Sequence, residues 1–300
     1  MNKIPLILDC DNTLGVPGCD VDDGIALLYL LGSQEVDLLG ICCSFGNNNQ
    51  QTVYENTRRM LADWGREDIP VYRGASQPGE WNSPASAFLA KAADEYGENL
   101  HLVVTGGCTN LWGAEKQNPS FFQRVGPISM MGGVTGPLMV GKSPMGELNF
   151  SVDAVAAYTV FSKAKNLRIA TAQHSLKSYF SASEWKECVF EQCPWLKEHL
   201  SQELEYWFGV YQKNWGLDGF VNWDVVAAAQ LIHPELFDCP PQNIYPTPQS
   251  LQKGNLMGEG DAISCLLPTI KEPEAYRRHI YQTLLAAGEH LNRKKSTIQI

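Results

Sequence analysis

The sequence predicts an α/β fold in which helices cover both faces of a mostly parallel central sheet. Short, continuous apolar runs alternate with segments of helical periodicity along most of the chain. Such runs are typical of strands buried on both faces, because an exposed face would bring polar residues into alternation. The hydrophobic content of 44% and the charged content of 19% fit a chain with a large core. Since no internal repeat or clear linker divides the chain, the prediction is a single domain over residues 1–300.

A helix is predicted after most of the strands, as parallel neighbours require. Gln173 opens a long region that is predicted to be helical, and residues 241–270 are predicted to form an edge hairpin. Buried strands are predicted from Ile4 to Asp9, Val36 to Phe45, Leu100 to Thr105, Ile128 to Met131 and Leu167 to Ala172, with a short strand at Pro70–Tyr72. Helices are predicted at Gln51–Trp64, Ala85–Tyr96 and Pro273–Leu291, and another begins with Trp223-Asp224 in the stretch Phe220–Ile232.

The overall charge narrows the choice of partners. A net charge of −10 and a pI near 5.1 argue against nucleic acid or an anionic membrane as a partner. No apolar run approaches the roughly 20 residues that span a bilayer, and the N-terminus does not resemble a signal peptide. The nine cysteines are scattered without CxxC spacing, so we expect free, mostly buried thiols in a cytoplasmic protein.

Five carboxylates lie close together between the first strand and the first helix: Asp9, Asp11, Asp20, Asp22 and Asp23. Ligands of α/β proteins usually bind at the carboxyl ends of strands. Five acidic groups in a dry crevice would repel one another, so a cation must offset them unless they spread into water. Helix capping and the helix dipole would explain the presence of Asp22 and Asp23 only.

Polar or glycine-rich segments also follow the other strands. Gly46–Gln50 offers amides suited to sugar hydroxyls, although an ordinary turn would have the same composition. Thr135–Gly146 is long enough to be a lid or a disordered flap. Asp153 and Asp224 each precede a helix rich in small residues, where an aspartate is usually a cap.

The first strand resembles the DxDxT motif of the haloacid-dehalogenase-like phosphatases, through ILDCDNTL. That resemblance implies a Mg²⁺-dependent phosphatase with Asp9 as nucleophile and Asp11 as acid/base. It leaves Asp22 and Asp23 without a role, and Asp261 is a poor candidate for the late acidic pair.

A second resemblance extends in order from Asp9 to about Ile232. The chain is similar to the nucleoside hydrolases, the nucleoside N-ribohydrolases, which have a Rossmann-like α/β fold and release a free base from a ribonucleoside. The matching segments are Asp9-Cys10-Asp11, Asp22-Asp23, Gly46-Asn47, Thr105–Asn110, Met131-Gly132-Gly133, Glu147-Leu148-Asn149 with Asp153, and Trp223-Asp224.

The resemblance implies a Ca²⁺ ion that holds and polarises the attacking water, with Asp11 as the base that takes the water proton. It also implies a homodimer or homotetramer. The ligands it implies for Ca²⁺ are Asp11, Asp23, the Thr105 carbonyl and Asp224.

The small-molecule partner implied by the resemblance is a ribonucleoside. Asp22, Asn47 and Asn149 would hold the ribose hydroxyls, with Glu147 on the 5′-hydroxyl. Asp9 would orient the ligands from behind. Asn149 and Trp223 are also predicted to act in catalysis.

Two tryptophans indicate which base is cleaved. Trp223 directly precedes the late Asp224, where one branch of the family has a histidine, and Trp81 follows a glutamate in the loop after Tyr72. This pattern resembles the purine-preferring branch, in which two indoles enclose the purine. None of the six histidines falls at the family's usual acid position, and Tyr206 and Tyr211 are further candidates for the pocket wall.

One departure from the family concerns the first loop. Ten residues, Asn12 to Val21, separate Asp11 from Asp22, where the family usually has three. Since loop length costs little free energy, the site can survive the insertion, but its rim can change. A nucleoside-binding protein with weak or no turnover is therefore a third hypothesis.

Overall fold

The computed structural model describes residues 3–298, so the two ends of the predicted 1–300 domain lie outside the described residues. All five predicted buried strands are present, and the apolar runs form them. The strands are β1 (Ile4–Cys10), β2 (Val36–Cys43), β3 (Val71–Arg73), β4 (His101–Val104), β5 (Ile128–Met131), β6 (Met139–Val140), β7 (Ser143–Pro144), β8 (Leu167–Ala170), β9 (Tyr179–Ser181), β10 (Gly219–Val221), β11 (Phe237–Asp238), β12 (Pro241–Ile244), β13 (Ile263–Leu266) and β14 (Thr269–Ile270).

The central sheet has eight strands in the order β12-β13-β8-β5-β4-β1-β2-β3. Seven of them run parallel, and only the edge strand β12 is antiparallel to its neighbour β13. This confirms the predicted sheet and the predicted edge hairpin. Because β2 lies on one side of β1 and β4 on the other, the chain changes direction at β1, and a crevice opens outside the carboxyl ends of these strands.

Helices cover both faces of the sheet, as predicted. Two hydrophobic clusters form the core, one on each face. Along β1, Leu6 and Leu8 belong to the first cluster and Ile7 to the second, because alternate side chains of a strand point to opposite faces. The helices are α1 (Asp22–Gly32), α2 (Gln50–Asp63), α3 (Pro84–Tyr96), α4 (Thr109–Gln117), α5 (Phe121–Arg124), α6 (Ala154–Lys163), α7 (Ala172–Ser175), α8 (Ala182–Trp185), α9 (Pro194–Trp215), α10 (Asp224–Ile232), α11 (Pro248–Leu251) and α12 (Pro273–Ile298).

The long helical region predicted after β8 is wrong in part. It is broken by β9, which pairs antiparallel with β10 so that Phe180 lies opposite Phe220. The long helix α9 begins only at Pro194, a residue that suits a first helical turn because its missing N–H would have no partner there. Both phenylalanines are fully buried, so tertiary packing decides this region.

The loop Thr135–Gly146 is not an unstructured flap. It contains the short hairpin of β6 and β7 and is fixed by Leu138 and Val140, which are buried. All nine cysteines are free, and six are buried, as predicted. Within residues 3–298 no helix is both long and apolar enough to cross a membrane.

Candidate active site

A cavity of about 220 Å³ opens at the carboxyl ends of the central strands. It lies where the sheet topology places a ligand site. Of the predicted site residues, seven line it: Asp22, Asn47, Thr105, Glu147, Asn149, Trp223 and Asp224.

The Asn47 amide lies among three carboxylates, of which Asp20 lines the cavity while Asp11 and Asp23 do not. Its Nδ2 is 2.9 Å from Oδ1 of Asp20, 3.4 Å from Oδ1 of Asp11 and 3.4 Å from Oδ2 of Asp23. Its backbone N–H donates to Oδ2 of Asp11 at 2.8 Å. The contact of Asn47 with ribose stays a prediction, and in the structure its side chain and backbone N–H contact the acidic residues.

Gly46 makes this close approach possible. A Cβ at this position would lie 1.8 Å from Oδ2 of Asp11, which is far inside van der Waals contact. Any side chain at residue 46 would therefore displace Asp11 or the Asn47 backbone. The glycine of the Gly46-Asn47 pair is thus required by the space around Asp11.

A chain of hydrogen bonds connects the other predicted ligands. The Thr105 hydroxyl donates to Oδ1 of Asp23 at 2.6 Å. The Thr105 carbonyl accepts from Nδ2 of Asn149 at 2.8 Å and keeps its second lone pair for another partner. Asn149 also donates to the Met131 carbonyl at 3.1 Å, which fixes its amide at the cavity wall.

Asp224 differs from an ordinary helix cap. It is the first residue of α10 and is only 3% exposed, yet it makes no side-chain hydrogen bond within residues 3–298. Asp153, by contrast, caps α6 by accepting from the Ala156 N–H at 3.0 Å. The Asp224 carboxylate lines the cavity and is therefore available to a ligand there.

Burial raises the pKa of every carboxyl in this group. Loss of water, followed by the charge of Asp20, raises the pKa of Asp11 to about 8, and burial raises that of Asp20 to about 6. Burial and then the charges of neighbouring aspartates also raise the pKa values of Asp22, Asp23 and Asp224.

The stability of the metal-free protein is expected to fall as the pH rises. A carboxyl whose pKa is higher in the folded chain contributes stability at low pH, and this is lost as the pH rises through the folded pKa. The pH range over which this stability is lost runs from 3.8 to about 8 for Asp11 and from 3.8 to about 6 for Asp20. In chelator, the Tm at about pH 8 should be several degrees below that at about pH 5. A Tm that rises over this range would contradict the expectation, and the same series in excess calcium, where the fall should be smaller, is the control.

Glu147 lines the cavity in a position fixed by backbone groups. Its Oε1 accepts from the N–H groups of Gly133 at 3.1 Å and Phe150 at 2.8 Å, and its Oε2 accepts from that of Ser151 at 3.1 Å. Burial raises its pKa, although these hydrogen bonds act in the opposite direction. One lone pair of Oε2 remains for a hydroxyl group of a ligand.

Only one of the two predicted tryptophans reaches the cavity. The Trp223 indole lines it and donates from Nε1 to the Tyr211 hydroxyl at 3.1 Å. Trp81 is 44% exposed and lies outside the lining, so the structure does not form the predicted sandwich. Tyr206 is likewise exposed and away from the cavity. The sequence could not have decided this, because a loop tryptophan has no periodicity to show which way it packs.

Asp9 lies behind the site and outside the cavity lining. It is 1% exposed, accepts from Nδ2 of Asn110 at 3.3 Å, and its Oδ2 has no hydrogen-bond partner within residues 3–298. Burial raises its pKa to about 8. A phosphatase nucleophile must reach substrate, which Asp9 cannot do from this position. No histidine, His174 included, is among the residues that line the cavity.

Asp20 is the site residue to which the sequence analysis gave no role. It lines the cavity beside Asp22, and its Oδ1 also accepts from the Thr13 hydroxyl at 2.9 Å. The sequence analysis counted Asp20 among the five clustered carboxylates that a cation would offset, but the family resemblance assigned it neither to the metal nor to the sugar.

The donor set of the site fits a hard divalent cation. One carboxylate oxygen from each of Asp20, Asp22 and Asp23 lies within 4.8 Å of the others. Among the side chains of residues 3–294, no lysine, arginine or histidine pairs with any of the clustered aspartates. The carboxylates offer oxygen ligands, which Ca²⁺ and Mg²⁺ prefer.

The fold and the cavity together define an α/β enzyme whose site suits a cation and a hydroxyl-rich ligand. The chain belongs to the inosine-uridine preferring nucleoside hydrolase family, because the sequence model of that family matches residues 6–274. It is accordingly an N-ribohydrolase that acts on ribonucleosides. This finding removes the phosphatase alternative.

Relatives in sequence and in structure support the same family. The chain is 28% identical to the pyrimidine-specific ribonucleoside hydrolase RihA of Klebsiella pneumoniae subsp. pneumoniae, over 263 residues that cover 78% of this chain and 81% of the relative. RihA of Escherichia coli O7:K1 is 29% identical over 263 residues, with the same coverage.

Two solved structures have the same fold. The plant nucleoside hydrolase PpNRh1 matches with a TM-score of 0.80 at 18% identity, covering 94% of this chain and 98% of the other. A purine-preferring ribonucleoside hydrolase from Gardnerella vaginalis matches with a TM-score of 0.78 at 20% identity, covering 95% and 99%. The names of these relatives divide between pyrimidine and purine bases.

Proposed function

We propose that the protein is a Ca²⁺-dependent ribonucleoside hydrolase in which Asp11 acts as the general base. The observation that supports this most directly is the group of carboxylates at Asp20, Asp22 and Asp23, two of them buried, none of which pairs with a basic side chain that the structure describes. A Ca²⁺ ion held there by Asp11, Asp23, Asp224 and the Thr105 carbonyl would polarise a water molecule for attack on the sugar.

The chain's own groups would perform the remaining steps. Asp11 accepts the proton of the attacking water as the oxygen bonds to the anomeric carbon. The bond to the base breaks, and its electron pair leaves with the base nitrogen. Positive charge develops on the sugar ring during this step. The surrounding carboxylates, Asp22 and Asp224 among them, stabilise that charge.

The ribose would be held by the polar wall of the cavity. Asp22 and Asn47 face the cavity beside the carboxylates, and the bond to the Thr105 carbonyl positions the Asn149 amide. Glu147 would accept a hydrogen bond from the 5′-hydroxyl through Oε2. These groups bind the sugar and leave the base to the apolar side of the cavity.

The proposed base preference is for purines. Trp223 offers a flat face, and its bond to the Tyr211 hydroxyl fixes the ring. Leu138 and Leu148 add apolar lining. A purine presents a larger face to the indole than a pyrimidine, so stacking favours it by an amount on the order of 1 kcal/mol. No histidine lines the cavity, so the departing base would take its proton from water.

The test is release of reducing sugar from inosine, adenosine, guanosine, uridine and cytidine, with chelator and after calcium is restored. We expect chelator-sensitive release that is faster from purines. Trp223→Ala should lower kcat/KM for purines by about 2–10-fold more than for pyrimidines. Trp81→Ala is the matched indole control.

The possible results separate the hypotheses. Release from pyrimidines alone would contradict the purine preference and keep the hydrolase. An equal loss of kcat/KM for purines in Trp81→Ala would support the arrangement in which both indoles enclose the base. Calcium-dependent nucleoside binding without turnover would favour the binding-protein hypothesis instead.

A further inference from the structure

The inserted segment Asn12–Val21 folds back against the site. Its main chain turns at Gly15 and Gly18, which both have φ of 85°. Asn56 on α2 donates to the Asn12 carbonyl at 3.3 Å and to the Leu14 carbonyl at 3.0 Å. These contacts fix the first half of the segment to α2 and return its second half to the cavity at Asp20.

Asp20 is partly exposed, and its carboxylate belongs to the acidic cluster. Its Oδ1 accepts from the Thr13 hydroxyl and from the Asn47 amide, both at 2.9 Å. Its Oδ2 receives no side-chain hydrogen bond from residues 3–298. One oxygen of Asp20 lies within 4.8 Å of oxygens of Asp22 and Asp23. The same Asn47 amide joins Asp20 to the predicted ligands Asp11 and Asp23.

The donors in the cluster are too few for its acceptors. The Asn47 amide has two N–H bonds, yet oxygens of three carboxylates lie within 3.4 Å of its nitrogen. Asp224, at 3% exposed, lines the same cavity and makes no side-chain hydrogen bond to any residue that the structure describes. Buried carboxylates without donors either take up a proton or are stabilised by a cation, and the unpartnered Asp224 lines the same cavity as Asp20.

We propose that Asp20, supplied by the inserted segment, is a further carboxylate ligand of the divalent cation. This inference rests on the proposed metal site and extends it by one residue. With Asp11, Asp23 and Asp224, it would give the ion four carboxylates and thus roughly −2 net formal charge. The insertion would then be a structural part of the metal centre and would be fixed in place when the ion binds.

An added ligand has a consequence for metal choice. Ca²⁺ accepts six to eight oxygens in flexible geometry, whereas Mg²⁺ demands six in near-ideal octahedral geometry. A fourth carboxylate should therefore raise affinity for Ca²⁺ more than for Mg²⁺. Loss of Asp20 should weaken binding of Ca²⁺ and narrow its preference over Mg²⁺.

The first experiment is calorimetric titration of the metal-free protein with Ca²⁺ and with Mg²⁺, for the unchanged chain, Asp20→Asn and Asp37→Asn. Asparagine keeps the oxygen that Thr13 and Asn47 contact. Asp37 is an exposed residue of β2 and controls for the loss of one negative charge. We expect Asp20→Asn to weaken Ca²⁺ binding about tenfold or more, with Asp37→Asn unchanged.

The second readout is alkylation of Cys19, which is partly exposed in the same segment. Cys188→Ser and Cys239→Ser remove the other two partly exposed thiols. Calcium should slow alkylation of Cys19 in this background, and Asp20→Asn should abolish the protection. This measurement follows the segment itself and does not depend on turnover.

The outcomes separate the inference from the proposed function. No Ca²⁺ binding by the unchanged chain would overturn the metal site as a whole. Equal Ca²⁺ affinity and equal protection of Cys19 in Asp20→Asn would overturn only the role of Asp20. Unchanged Ca²⁺ affinity with a raised KM would also overturn it, and would make Asp20 a substrate contact.

Discussion

Replacement of Asp11 by asparagine is expected to lower kcat for ribonucleoside hydrolysis by about 10²–10⁴-fold. The substitution removes the carboxylate that would take the water proton. It preserves the shape of the side chain and one oxygen for the Asn47 backbone N–H, now 2.8 Å from Oδ2. The fold should therefore survive, and the loss should fall on the chemical step.

Two roles of Asp11 must be separated in this experiment, because the residue is proposed both as base and as ligand. The measurement is the rate of sugar release at saturating nucleoside over a series of Ca²⁺ concentrations. If high Ca²⁺ restores the full kcat, Asp11 is a ligand only, and the general base is another group. A kcat that stays low at every Ca²⁺ concentration supports the base, and Asp37→Asn again controls for charge.

The sheet could be predicted because the sequence determines it locally. β1 has Leu6 and Leu8 on one face and Ile7 on the other, all fully buried. A strand covered on both faces must be apolar throughout, and that pattern is visible without knowledge of its neighbours. The placement of Asp11 and Thr105 at one edge then follows from parallel pairing.

The roles of the two late aspartates could not be separated by local sequence. Asp153 and Asp224 both precede helices of small apolar residues, and either could be a cap. The structure distinguishes them by their surroundings. Asp153 accepts from Thr109 and from Ala156, whereas Asp224 accepts no side-chain hydrogen bond from the described residues and lies near the charges of four other aspartates. That difference depends on elements brought together by the sheet. The family resemblance, which compares whole chains, did assign Asp224 to the site.

The positions of Asp20 and Trp81 could not be predicted from local sequence either. Asp20 reaches the cavity because Asn56, 36 positions later in the chain, fixes the segment before it. Trp81 stays outside because its loop packs elsewhere, with its carbonyl next to Gly113. The composition of a loop predicts that the chain turns there, but tertiary contacts decide which of its side chains reach the cavity.

Replacement of Asp224 by asparagine should reduce activity and stabilise the metal-free protein at the same time. The residue is 3% exposed and has no side-chain hydrogen bond to the described residues. Burial raises its pKa, and the charges of four neighbouring carboxylates raise it further. Removing its charge should relieve that repulsion and raise the Tm in chelator by about 2–4 °C for each kcal/mol relieved.

The opposite result is expected when calcium is present. A ligand that binds only the folded chain raises the Tm in proportion to its affinity, so loss of the Asp224 carboxylate should reduce the Ca²⁺-induced rise. We expect hydrolysis at fixed Ca²⁺ to fall by at least about 100-fold. Thermal unfolding in chelator and in calcium measures both effects on one preparation.

Each alternative for Asp224 gives a different pair of results. If Asp224 only caps α10, its replacement should lower the Tm in chelator and leave the calcium-induced rise in Tm unchanged. A chemistry that used Asp9 would survive the substitution. If Asp224 is a cation ligand whose charge destabilises the metal-free protein, its replacement should raise stability without calcium and lower activity with calcium.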